Sequence, residues 1–405
     1  VSTGRSAETA RCAADYRLPG ERRTVATLGG PWRQNRLSPN ALTLDYAQFS
    51  KDGGRTWSVS EPVLAFSDRA AQSQPYNGPL LVRYPFRAEA LPRNCSLVLE
   101  QPEMYASIRV NGRELRFGQG EETPGKNTGT TSKKTPGDVS DGEPAGFYLD
   151  RAFRTAEITP LLKKGDNEIV LALDFRSAVP SSYDADERYG TEIESVYLTG
   201  DFAVRGKEVA PPLADSWRNR SPYLQRTAPV NRLTGFVLTD EPAQVEGDMT
   251  LQGYPFFAGS MTLEKEFDLE RTDSAARYFL TFPACEATVI GINVNGTDLS
   301  PLFASPWEAD VTPWLRPGSN KICLTLTNTL RNLLGPHHHK GGEFTEVRPV
   351  TFRAGEDVSN TMTGEPVGEC DWYDARLKGR AALWRDAYHI IPSGLLAAPE
   401  IRRER

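Results

Sequence analysis

The most concentrated reactive side chains in this chain of 405 residues are His337, His338 and His339 with Glu343 nearby. Imidazoles and a carboxylate can together ligate a divalent metal. Three adjacent histidines cannot all face one centre without a contorted loop, so the favoured expectation is a loop that packs or hydrogen-bonds at a domain interface. A metal site is the alternative. Exposed aromatic rings are a second resource, because a ring face stacks on the C–H face of a pyranose while polar neighbours fix its hydroxyls. Trp307, Trp314, Tyr254 and Phe257, with Phe256, are the candidates in the second half, and Tyr148 and Tyr105 in the first. Each has a plainer reading as a core or interface residue. Hydrolysis by general acid and base needs two facing carboxylates, a pairing this spacing does not reveal. Asp150, Glu157 and Asp310 sit beside Thr-Pro turns, where capping is the expected role.

Several chemistries lack an anchor. No P-loop, no GxGxxG opening a helix, no GxSxG and no HExxH occurs. The formal net charge of -6 supplies no positive field for a phosphate backbone, so nucleic acid is not an expected partner. No apolar run approaches the roughly 20 residues that cross a bilayer, and the segment from Val1 to Arg5 lacks the pattern of a signal peptide. A soluble chain, already processed or cut from something longer, is the expectation. The five cysteines, Cys12, Cys95, Cys285, Cys323 and Cys370, contain no CxxC. They read as small core residues, with one disulfide of unassigned pairing left open. No organic cofactor is expected, and a divalent ion such as calcium is the one addition these side chains leave open.

The elements that must position these groups read as strands. Short β-branched and aromatic runs recur between 34 glycines and 30 prolines, and helical spacing appears only near Trp372 to Trp384. One pattern occurs twice in the same order. Met104 to Val110, then Asn111-Gly112, then Arg113 to Phe117 matches Val289 to Val294, Asn295-Gly296 and Thr297 to Leu299. Asn-Gly between alternating strands signals a tight type I′ hairpin, because both residues tolerate positive φ. Counting back from each turn, Ala106, Ile108 and Val110 fall in register with Ile290, Ile292 and Val294, so both hairpins bury the same face. Ser107, Arg109, Gly291 and Asn293 then face the other way. Downstream, Ile158-Thr-Pro, Gly165 and the strand Ile169, Leu171, Leu173 match Val311-Thr-Pro, Gly318 and Ile322, Leu324, Leu326.

An all-β fold follows: two tandem jelly-roll (galactose-binding-like) β-sandwiches with a short helical C-terminal segment. The first is expected over residues 1–206, with an N-terminal lead-in and a polar loop over 118–146, and the second over 207–405. The loop is read as a variable surface insertion, with a substrate-facing flap as the functional alternative. Ser50-Lys-Asp-Gly-Gly-Arg-Thr-Trp57 fits the Asp-box pattern of sialidase-like propellers, but it occurs once. It is read as a local hairpin in which Asp52 accepts backbone hydrogen bonds and Trp57 packs beneath.

The pattern Phe, Val-Asn-Gly, Asp-Val-Thr-x-x-Leu-x-x-Gly-x-Asn and an apolar strand resembles the sugar-binding jelly-roll domain of glycoside hydrolase family two and its relatives. Asn40 to Tyr46, Glu194 to Phe202 and Asn328 to His339 look similar to the C-terminal half of large bacterial α-L-rhamnosidase-like enzymes. The resemblance implies a catalytic TIM barrel elsewhere, since no eightfold strand-helix alternation exists here. What it implies for this chain is an accessory, carbohydrate-binding region, with carbohydrate and a catalytic barrel domain or subunit as partners. A self-sufficient glycosidase with its site between the sandwiches, and a purely structural docking module, are the rivals.

Overall fold

The computed structural model describes residues 22–72, 74–118, 146–179, 182–184, 190–213, 230–335, 337–338 and 386–404. The chain is mostly β-sheet, in line with the all-β reading. Among the described residues, no helix is long and apolar enough to cross a membrane. The polar loop 119–145, the stretch Trp372 to Trp384, His339 and Glu343 lie outside the described residues.

The duplication is visible in the sheet order. In the first sandwich Asn77–Ala88, Gly165–Arg176, Ser107–Val110 and Arg113–Glu114 lie side by side, and in the second Ser260–Leu269, Gly318–Thr327, Val289–Val294 and Thr297–Leu302 do so in the same sequence. Ile169, Leu171 and Leu173 are buried, as are Ile322, Leu324 and Leu326. Ile108 pairs with Leu171 exactly as Ile292 pairs with Leu324, and all four side chains fill the interiors. One position departs from the expected register: Ala106 is exposed whereas Ile290 is buried. The first hairpin strand begins only at Ser107, so Ala106 precedes the sheet.

Each sandwich closes with a second sheet. Opposite the first lies Phe147–Tyr148, Asp150–Glu157, Cys95–Glu100, Val196–Gly200 and Asn40–Leu44, and opposite the second lies Glu308–Asp310, Arg277–Thr281, Glu400–Glu404 and Arg22–Thr27. Two hydrophobic cores result, one built around Val82, Leu97, Ile169 and Leu198, the other around Met261, Leu280, Ile322 and Ile401. The pairing runs across residue 206 in both directions. Arg22–Thr27 and Trp32–Arg36 pair with strands of the second sandwich, while Val230–Thr239 lies parallel to Asn77–Ala88 of the first. The first sandwich is thus threaded between two strands and the rest of the second, and a cut at 206 separates strands from their partners. Tyr388–Ile390 also joins the first sandwich, against Val230–Thr239.

A helix absent from the strand pattern spans Val63–Gln72. Val63, Phe66 and Ala70 recur at helical spacing and are buried, with Phe66 stacked on Phe49 at 4.4 Å. Cys95 and Cys323 carry free thiols, Cys285 is buried, and Cys12 and Cys370 lie outside the described residues.

Candidate functional site

Strand alternation that fills the second core turns a different set of side chains outward. Gly291 and Asn293 from one strand, Cys323 and Thr325 from its neighbour, and Glu264 from the next line a groove of about 570 Å³, closed at one side by Asp298, Leu299 and Pro301. Gly291 keeps the floor open: a Cβ there would come within 3.1 Å of Thr325 Cβ. Two cross-strand pairs form the walls. Asn293 Nδ2 donates to Asp298 Oδ1 at 2.7 Å, and Lys321 Nζ lies 3.1 Å from Glu264 Oε2. Burial pushes the Cys323 thiol up from its ordinary pKa, and Glu264 and Asp298 add to that shift against Lys321.

The first sandwich carries the same architecture with a different, arginine-bearing lining. Ladder positions equivalent to Glu264, Asn293 and Cys323 are Arg83, Arg109 and Val170. Arg83 pairs with Glu168 at 3.7 Å and Arg109 with Glu114 at 3.0 Å. Beside the strand Asn77–Ala88 folds the hairpin that the sequence marked as an Asp-box. Ser50 and Thr56 hydroxyls donate to Asp52 at 2.8 and 2.6 Å, and Thr56 N donates at 2.9 Å. These bonds hold the Asp52 carboxyl well below the usual carboxylate range, with Thr56 the chief cause. Trp57 then lies 4.1 Å from the Arg83 guanidinium, so one position of the first face carries an aromatic contact, while Arg109 and Glu114 remain exposed.

A second cleft, of about 470 Å³, opens at the rim of the first sandwich between Glu100, Asp174, Glu192 and Glu194. Burial, then the neighbouring Glu192 and Glu100, pushes the Glu194 carboxyl up to about 7. Sequence reading did not gather these carboxylates. The signal available was local: Ile193 is buried between Glu192 and Glu194, an alternation that places both on the same side. Because Glu194 ionises near 7 in the fold and near 4.5 as an ordinary glutamate, its contribution to stability is present below 4.5 and is lost as pH rises through 7. Glu194→Gln should therefore leave the melting temperature unchanged at pH 4.5 and raise it by a few degrees at pH 8.5. An equal shift at both pH values in thermal melts would contradict that origin.

The histidines occupy a packed node. His338 Nε2 lies 3.0 Å from Asp45 Oδ2, His337 Nδ1 lies 3.8 Å from the same oxygen, and the Tyr388 hydroxyl donates to Asp45 Oδ1. His337 Nε2 sits 2.9 Å from the Asn332 carbonyl. Burial works to raise the Asp45 pKa, but His338 and His337 outweigh it and hold the carboxyl below its usual range. Burial holds the His337 imidazole below its ordinary pKa. The turn Arg331–Leu334 is tied to the same place by Thr43 Oγ1, which donates to the Leu333 carbonyl at 2.8 Å. This is a hydrogen-bonded join between elements distant in sequence, and among the described residues no group of three or more His, Cys, Asp or Glu side chains is placed to hold a metal ion.

The expected stacking residues are dispersed. Tyr254 and Phe257 are 1% exposed within the second core, and Phe256, Tyr148 and Tyr105 are buried in the first. Their ring faces meet other side chains, because aromatic bulk is what fills the interior of a sandwich. Trp307 and Trp314 pack against the second core but remain partly exposed. Asp310 caps its turn by accepting from Thr312 N at 3.0 Å, and Asp150 accepts from Ala152 N at 2.8 Å.

No protein-family model and no curated protein matches the chain. Among solved structures it is similar to a rhamnosidase from Novosphingobium sp. PP1Y, at 12% identity and a TM-score of 0.25 over 98% of this chain and 26% of that one. It is similar to a β-D-mannosidase from Dictyoglomus thermophilum at 13% identity and 0.25, over 71% of this chain and 31% of that one. A family-two β-galacturonidase from Eisenbergiella tayi aligns at 10% identity and 0.24, over 71% and 36%. The chain thus spans well under half the length of each.

Proposed function

We propose that the chain is a carbohydrate-binding accessory region of a glycoside hydrolase, with the groove over the second sandwich as its glycan site and the catalytic carboxylates outside it. One observation carries this reading. Duplication made two equivalent sheet faces, and the second is an open groove with hydrogen-bonding side chains held in fixed cross-strand pairs, while the equivalent positions of the first carry Arg83 and Arg109 in ion pairs. Sugar sites need such convergent polar groups beside some apolar surface, here Leu299 and Pro301. Trp307 and Trp314 are kept as proposed stacking contacts, and a barrel domain or subunit as the proposed partner.

Gly291→Val tests the site directly. The strand Val289–Val294 tolerates a β-branched residue, and the added side chain fills the groove floor against Thr325. Expected is glycan-array retention by the intact chain and a tenfold or greater loss in the variant, with the variant still melting cooperatively. A blank array for the parent chain would favour a docking module that never touches sugar.

The acidic cleft favours a second reading, a self-sufficient glycosidase using Glu194 as the acid, since a carboxyl titrating at about 7 keeps a large protonated fraction at neutral pH. Turnover of aryl-glycosides by the isolated chain, abolished in Glu194→Gln, would establish that reading in place of the accessory one.

A further inference from the structure

We infer that the groove over the second sandwich selects an uncharged glycan presenting neighbouring free hydroxyls, and rejects sugars that carry carboxylate, sulfate or phosphate. The inference rests on the carbohydrate reading above and adds the class of ligand. It follows from counting which hydrogen-bonding positions the walls have already used. Asn293 uses one of its two Nδ2 hydrogens on Asp298 at 2.7 Å, and its Oδ1 accepts from Gly296 N at 3.0 Å. Among the described residues Lys321 carries the groove's one positive charge, and Glu264 counters it at 3.1 Å. What remains uncommitted is chiefly acceptor capacity, because a carboxylate offers about four lone-pair positions and each of Asp298 and Glu264 has one such position taken within the groove.

A ligand suited to this lining must bring donors. Two adjacent sugar hydroxyls can both donate to one carboxylate, and the spare N–H groups of Lys321 can meet a hydroxyl oxygen. An anionic sugar finds the opposite: two carboxylates against one ammonium leave a negative surplus, and among the described residues no arginine lines the groove. Bringing a further carboxylate there places like charges together without a free cationic partner. Leu299 and Pro301 supply a surface for the C–H face of the ring, and a space of about 570 Å³ is in the range of small-ligand sites.

Cys323 on the groove floor provides a reporter, since Cys95 and Cys285 are buried while it is only partly so. The intact chain is treated with methyl methanethiosulfonate, and modification of Cys323 is followed by peptide mass spectrometry. Xylohexaose, cellohexaose and mannohexaose are the neutral probes, and a galacturonic acid hexamer is the anionic one, each also titrated by calorimetry. Expected is at least a fivefold slowing of Cys323 modification by one or more neutral probes. The uronate should change the rate less than twofold, and Asp298→Asn or Glu264→Gln should remove the neutral probe's protection. Protection by the uronate overturns the inference. Calorimetric binding of a neutral probe without protection also overturns it, while leaving the carbohydrate reading standing. Failure of all four probes to bind the chain by calorimetry removes that reading and the inference together.

Discussion

A chain ending at residue 398 is expected to lose the second sandwich altogether while the first still melts as a cooperative unit. The strand Glu400–Glu404 lies in the middle of its sheet, between Arg22–Thr27 and Arg277–Thr281. Its removal strips a ladder from both neighbours. Ile401 is fully buried in the second core, and truncating one such side chain alone costs about 2–5 kcal/mol. Glu404 also accepts from Arg22 at 2.9 Å and lies 3.7 Å from Arg277, and Arg403 pairs with Asp273. Against a domain stability of about 5–15 kcal/mol, the summed loss leaves nothing. Calorimetry should show one transition disappear, and tryptophan emission should shift to the red because Trp32, Trp307 and Trp314 all pack on that core. A single transition at the parent temperature would show that the C-terminal strand is dispensable and that the pairing described here does not hold the sandwich together.

The second large effect is expected at the two Asn-Gly turns. Asn295 takes φ 52° and donates through Nδ2 to the Trp314 carbonyl at 2.7 Å and to Asn320 Oδ1 at 2.8 Å, while its Oδ1 accepts from Lys321 N at 2.9 Å. Asn320 in turn donates to the Arg316 and Gly318 carbonyls at 2.8 and 2.9 Å. Hairpin, Thr-Pro turn and long strand are thereby joined through one amide. Asn111 repeats the arrangement, donating to the Leu161 carbonyl and to Asn167 Oδ1, both at 2.8 Å, and accepting from Glu168 N at 3.1 Å. Asn295→Gly keeps the backbone conformation but strands partly buried partners, at about 2–3 kcal/mol. Asn295→Ala adds the cost of a Cβ in the left-handed region, about 1 kcal/mol more. Urea denaturation of both variants, and of the Asn111 pair, should give the order parent, Gly, Ala in each sandwich. Glycine and alanine variants as stable as the parent would reduce the joint to an incidental contact.

The equivalence of these two joints shows why the duplication could be read early. Asn-Gly, Thr-Pro and the glycines at 165 and 318 act on their own few residues, through backbone sterics and short hydrogen bonds, and so their consequences do not depend on distant partners. Period-two alternation likewise placed Gly291 and Asn293 away from the core, which is half of the groove. The other half needed Glu264, Asp298 and Lys321 to arrive from neighbouring strands. Aromatic type alone misdirected the choice of sugar contacts: Tyr254 and Phe257 are as able to fill a core as to face a ligand, and only their packing distinguishes the two.

By itself, then, the amino-acid order determined the all-β class, the repeated hairpins with their buried faces, and the Asp-box turn, because each is set by preferences that operate within about ten residues. Tertiary structure alone decided that Arg22–Thr27 and Glu400–Glu404 meet in one sheet, that Asp45 joins His337, His338 and Tyr388, and that Trp57 meets the Arg83 guanidinium on one copy of a face whose equivalent is a groove. Those outcomes depend on which apolar surfaces exclude water together across hundreds of residues, a free energy that is non-directional and carries no local signature in the chain.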